Sequence, residues 1–188
     1  EEVFARNPRH PGAAHYLIHS YDEPIHAPLG LRAARVYAEI APGAPHALHM
    51  PSHNFMAMGR WQESVDSNTA SAQAALDKES PGRAYHALWW KHYSLLQLGR
   101  YQEAGRTLKQ VDDLEAHAPS PSARRHSAYM RASQIIETRD WDSDLLEDFD
   151  ASDLRVKAQA AVLFARGMQM VHKGFAEQSI QLVRKIKR

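Results

Sequence analysis

The string His-x-x-x-His occurs twice at a fixed offset. His15-Tyr16-Leu17-Ile18-His19 recurs as His49-Met50-Pro51-Ser52-His53, 34 residues later. Two pairs of prolines keep the same step, Pro8 to Pro42 and Pro11 to Pro45. A period of this length is one helix-turn-helix unit, and such units bury their apolar faces only by stacking. Equivalent residues of successive units then stand side by side. Two pairs of imidazoles are expected to face each other across neighbouring helices, an arrangement of metal ligands.

Bulk composition removes several other readings. Lys+Arg 23 against Asp+Glu 22 leaves a net charge of +1, so no basic surface argues for nucleic acid. No apolar run reaches the length of a membrane span. Cysteine is absent, which excludes disulfides, thiol nucleophiles and thiolate metal sites together. The chain opens on a stretch, Glu1 to Asn7, that reads as a helix stopped by Pro8. It closes on Lys185-Ile186-Lys187-Arg188, a cationic helix end without a cap. The 188 residues are therefore expected to be part of a longer solenoid, with any targeting signal upstream.

Turn signals divide the chain. Gly59-Arg60-Trp61-Gln62-Glu63-Ser64 returns as Gly99-Arg100-Tyr101-Gln102-Glu103-Ala104, and weaker copies follow at Arg139-Asp140-Trp141 and Lys173-Gly174-Phe175. Each pairs a breaker with an aromatic residue, as a tight αα-hairpin needs. Helices are predicted at 11–22, 29–41, 46–58, 62–77, 83–98, 102–117, 122–138, 141–149, 153–172 and 175–187. Extra residues near Asp77 to Gly82 and His117 to Ser122 are expected to lengthen a helix or its loop.

These repeats and turns resemble tetratricopeptide proteins over nearly the whole chain. The strings His10-Pro11-Gly12-Ala13-Ala14-His15-Tyr16-Leu17-Ile18-His19 and Pro45-His46-Ala47-Leu48-His49-Met50-Pro51-Ser52-His53 are similar to those of a bacterial subfamily. The resemblance implies an all-α, right-handed α-solenoid of about five hairpins over 1–188, with the first helix of each repeat lining a concave groove. Repeat 1 departs from the pattern, carrying Glu23-Pro24-Ile25-His26-Ala27-Pro28 where the glycine turn belongs.

The histidines do not follow the apolar stripes. At about 100° per residue, Ala14, Leu17, Ile18 and Tyr21 share one side, with His15, His19 and Asp22 roughly 110° away. Leu48, Phe55 and Met58 mark the apolar side of the third helix, while His46, His49 and His53 form another stripe. Seven of the twelve histidines lie in the first 53 residues, which places a histidine-rich groove within 10–53. Aligning the repeats extends the groove to His86, Trp89 and Tyr93, then to His126, Tyr129 and Ser133. Pro51 breaks a local rule inside the third helix and is expected to kink it.

This residue set favours a transition metal. His15, His19, His49 and His53 would hold one ion, or share two with His46, His10, His86 and Asp22. Imidazoles with one carboxylate suit Zn, Cu, Fe or Ni and do not suit Ca or Mg. Tyr16 and Met50 occupy the glutamate position of the metalloprotease string, so that motif is absent. A metal-dependent hydrolase or oxidoreductase is compatible, with Asp22 as base and Tyr93 or His86 as polar helpers, although no catalytic residue is assigned. The alternative is a peptide-binding or scaffold module mediating protein–protein interaction, with Trp89, Tyr93, His126 and Tyr129 contacting a partner. His86 and His92 beside Trp89 and Trp90 read as helix packing. The acidic run Asp140, Asp142, Asp144, Glu147, Asp148 and Asp150 reads as a solvated helix surface.

Overall fold

A computed structural model describes residues 1–186. Among them there is no strand, and the helices run in the order α1 (Glu2–Arg6), α2 (Pro11–Ser20), α3 (Ala27–Ile40), α4 (Pro45–His49), α5 (Pro51–Ala57), α6 (Trp61–Leu76), α7 (Pro81–Gln97), α8 (Tyr101–His117), α9 (Pro121–Thr138), α10 (Val156–His172) and α11 (Ala176–Ile186). The helix expected over 175–187 reaches Lys187, which lies outside the described residues. The chain divides into two compact units, Glu1–Leu98 and Gly99–Arg188.

Local chemistry explains most helix ends. Six helices start on a proline in the first two positions, where the missing N–H is not needed and φ is already helical. Gly59 and Gly174 take φ of +68° and +86°, which a side chain would resist. Around Gly59, the Arg60 N–H donates to the Phe55 carbonyl (2.8 Å), a Schellman closure that stops α5. The next helix opens on an Arg60–Glu63 pair, and the second copy of the turn repeats it as Arg100–Glu103. In the first repeat, Glu23 replaces the glycine device. Its carboxylate accepts from the N–H groups of Ile25 (2.9 Å) and His26 (2.7 Å) and sets the start of α3.

In the first unit each helix packs on its near neighbours in the chain. Helix α2 lies on α3, α3 on α5, α4 and α5 on α6, and α6 on α7, while α2 also touches α5 and α4 touches α7. Phe4, Ala14, Ile18, Ala33, Ala34, Tyr37, Ala47 and Met50 form one buried cluster there. Small residues let the helices approach closely. A Cβ on Gly30 would stand 2.8 Å from Nδ2 of Asn54, whose side chain is fully buried and bonded to the Tyr21 carbonyl (2.9 Å).

The expected third helix is present in two pieces. Met50 keeps helical angles (φ −52°, ψ −39°) and its N–H still bonds to the His46 carbonyl, 3.0 Å. Pro51 has no N–H for the Ala47 carbonyl, so the ladder is broken and a new helix starts at that residue.

The second unit overturns one expectation. Residues 141–149 form turns and not a helix. Short polar side chains at Ser143 and Asp150 bond backbone N–H groups of Leu145 (3.4 Å) and Ser152 (2.9 Å), competing with helical bonds. The carbonyls of this segment find donors on the flanking helices. Arg131 reaches the Leu145 carbonyl (2.9 Å), Arg166 those of Leu146 (2.5 Å) and Phe149 (2.7 Å), and Gln169 that of Ser143 (2.8 Å). Leu146, Ala151 and Leu154 turn inward to join Ile135, Ala158 and Val162 in a core. The acidic run is thus a side-chain-tethered loop, correcting the solvated-helix reading.

Gly30→Ala is expected to lower the melting temperature. The added methyl must displace Asn54 from its bond to Tyr21, at a cost of about 1–3 kcal/mol that exceeds the gain in helix propensity. Thermal denaturation followed by circular dichroism checks it, and an unchanged or raised melting point would contradict the close approach.

Candidate metal centre

Six imidazoles converge in the first unit. Ring centroids of His15 and His19 lie 4.8 Å apart, His19 and His53 5.6 Å, His53 and His49 5.1 Å, His49 and His46 6.5 Å, and His46 and His15 5.1 Å. That closes a loop of five rings, and His86 of α7 joins it 4.6 Å from His49. Helix α2 supplies His15 and His19, α4 supplies His46 and His49, and α5 supplies His53.

The closest ring-to-ring contacts are between Nε2 atoms. Nε2 of His15 is 3.2 Å from Nε2 of His46, and Nε2 of His49 is 3.1 Å from Nε2 of His86. Only His19 and His53 face each other at the full repeat spacing. The tighter pairs run diagonally, one helical turn off, and the alignment of His46 with His86 gives way to a contact between His49 and His86.

Proton positions follow from fixed neighbours. Asn68 donates from Nδ2 to the Ser64 carbonyl (2.9 Å), so its Oδ1, 2.7 Å from Nδ1 of His49, is an acceptor. His49 therefore carries its proton on Nδ1 and presents a bare lone pair on Nε2. Asp22 does the same for His53, accepting from its Nδ1 at 2.6 Å. A carboxylate or amide that fixes the tautomer in this way is the usual partner of a ligating histidine.

Burial disfavours the charged form of four of these rings. It drives His49 down to about 3, helped by His86 and opposed by the bond to Asn68. His53 is lowered by burial despite Asp22, His15 by burial and then by His19, and His46 by partial desolvation and then by His15 and Arg83. His49 is only 3% exposed, which departs from the expectation that these histidines avoid the interior. Helices α6 and α7 close over it, and the stripe of one helix gives no sign of that cover. The ring is nonetheless satisfied by polar partners at both nitrogens.

The remaining sequence candidates separate. Asp22 joins His19 and His53 in a triad whose ligand atoms lie within 4.8 Å of one another. His10 instead caps α2, its Nδ1 accepting from the Ala13 N–H (3.2 Å). Trp89 contacts His86 at 6.0 Å, and Tyr93 packs edge-on against Trp61 at 6.1 Å. His126 and Tyr129 belong to the second unit. Tyr129 packs on its core, and His126 is buried with Nδ1 2.7 Å from the Ser122 carbonyl.

Two residues escaped the sequence reading. Trp90, whose sequence context reads as packing, lies against His53 (4.4 Å) and His49 (5.0 Å), and its buried Nε1 has no hydrogen-bond acceptor among the described residues. Asn68 carries no motif of its own. Its signal is the stripe Ser64, Asn68, Ser71 and Ala75, a polar-rich face at helical spacing that is buried.

Burial also lowers the imidazole of His126, to about 4. The unfolded ring takes a proton below its ordinary value of 6.5 and the native ring does not, so this stability is complete above that pH and is lost as pH falls toward 4. His126→Asn, which keeps an amide N–H near Nδ1 and removes the titration, should lose less stability than wild type between about pH 7 and about pH 5. The expected difference is about 2 kcal/mol by urea unfolding, and equal losses would contradict it.

No protein-family model, curated protein or solved structure matches this chain.

Proposed function

We propose that the first unit is a tetratricopeptide-like helical array that binds one or two transition-metal ions through its histidine loop. The observation that carries this reading is the pair of Nε2–Nε2 approaches, 3.2 Å for His15 with His46 and 3.1 Å for His49 with His86. Two nitrogens held about 2.0–2.1 Å from one tetrahedral ion stand about 3.3 Å apart, so little movement separates these rings from a ligand pair. Without an ion, the same distance suits one ring donating N–H to the other. For His49 the donor is then His86, because the His49 proton is held on Nδ1 by Asn68.

The donor set matches Zn, Cu, Fe or Ni, being nitrogen-rich with a single carboxylate and no thiolate. His19, Asp22 and His53, with ligand atoms within 4.8 Å of one another, are the described group that offers three candidate ligands together, while the pairs His15–His46 and His49–His86 each offer two ring nitrogens. Such an ion supplies Lewis acidity or redox chemistry when bound. The residues of this chain contribute neutral lone pairs, fixed tautomers, and a wall formed by Trp90 against His49 and His53. The tetratricopeptide part of the reading is supported by the Gly-turn geometry and by the packing of α2, α4–α5 and α7 as successive first helices.

Elemental analysis of protein purified without a histidine tag should find about one or two ions per chain. The double variant His15→Ala, His49→Ala should lose metal and melt at a lower temperature than the loaded wild type. Equal metal content in the two proteins would remove the reading.

A further inference from the structure

Beside the His49–His86 pair lies a cavity of about 390 Å³, lined by His46, His49, His86, Arg83, Ser71 and Gly82 among others. Its size suits a small molecule and not a peptide chain. The wall is electrostatically one-sided. Among its described residues there is no carboxylate, and the Arg83 guanidinium has no carboxylate partner. Neutral imidazoles bring no charge to offset a divalent ion, so an ion here would keep its full charge facing the cavity. The first turn of α7, a helix of 17 residues, adds the positive end of its dipole, and Ser80 gives that end no side-chain cap. At Gly82 no atom stands within 4 Å of where a Cβ would sit, which leaves the approach open. Ser71 is turned away, its hydroxyl donating to the Pro45 carbonyl (2.7 Å), so Arg83 is the polar group left to meet a ligand.

We propose that this cavity admits a small oxyanion, a phosphate or carboxylate group, that binds the metal held by His49 and His86 while Arg83 grips its other oxygens. The proposal rests on the metal reading above and names the class of ligand for it. A pair of ring nitrogens fills two positions of a tetrahedral ion, and the positions left open are where an exogenous oxygen would bind. The fork of donors on Arg83 matches the spacing of oxygens on either anion. Because the side chain of Arg83 is exposed, removing it leaves the core and the imidazole loop untouched.

The test loads wild type and Arg83→Gln with zinc, measures zinc content in both, and titrates each with inorganic phosphate and with acetate by calorimetry. Wild type should bind at least one anion saturably in the zinc-loaded form, and about tenfold more weakly without zinc. Arg83→Gln should retain the zinc content and melting temperature of wild type and bind the anion about tenfold more weakly. A preference for phosphate assigns a phosphoryl ligand, and a preference for acetate assigns a carboxylate. Zinc uptake without saturable anion binding, or equal affinity in the two proteins, overturns the oxyanion proposal and leaves the metal reading standing. Failure of wild type to take up zinc or another transition ion removes both.

Discussion

The arrangement of the imidazoles depends on a short chain of hydrogen bonds, from the Ser64 carbonyl to Asn68 and from Asn68 to His49. It begins with a backbone acceptor that cannot change its polarity. Everything downstream is therefore fixed: the amide orientation, the ring tautomer, and the lone pair that His49 turns toward His86. Burial reinforces the chain, since a protonated His49 would be a charge in a dry place. His53 receives the same treatment from Asp22 in a wetter position. A carboxylate makes a ring more electron-rich than an amide does, so the two halves of the loop are chemically unequal as donors.

The break at Pro51 distributes these rings. Helices α4 and α5 both rest on α6, while α4 also touches α7 and α5 rests on α3 and touches α2. His49 of α4 meets His86 of α7, His46 of α4 meets His15 of α2, and His53 of α5 lies between His19 of α2 and Trp90 of α7. A local fault in the helical ladder thus lets one sequence segment present histidines to two different neighbours. Disagreement between local preference and global structure is characteristic of strained or functional places.

Much of this was legible in the sequence because repetition writes the same physical demand twice. The glycine turns, the proline starts and the matching His-x-x-x-His strings each appear in two copies, and the structure places helices accordingly. Convergence of His15, His19, His46, His49, His53 and His86 was readable for the same reason. What was hidden depends on a third dimension. Burial of His49 is imposed by α6 and α7, and its partner Asn68 is distant in sequence with no motif of its own. The diagonal pairing of His15 with His46 could not be read from a period, which aligns helices but leaves the reach of side chains across them unspecified. Residues 141–149 misled because an aromatic and acidic residues imitate a helix start. The interactions that decide otherwise come from Arg131, Arg166 and Gln169.

That last segment is recognised through its main chain. Guanidinium and amide donors from α9 and α10 address carbonyl oxygens, a group every amino acid carries, so the side chains at Asp142, Asp144 and Glu147 have little say in the path the backbone takes. The path of residues 141–150 is set partly by Ser143 and Asp150 within the segment and partly by three long polar side chains outside it, and losing Arg166 would unhook two carbonyls at once.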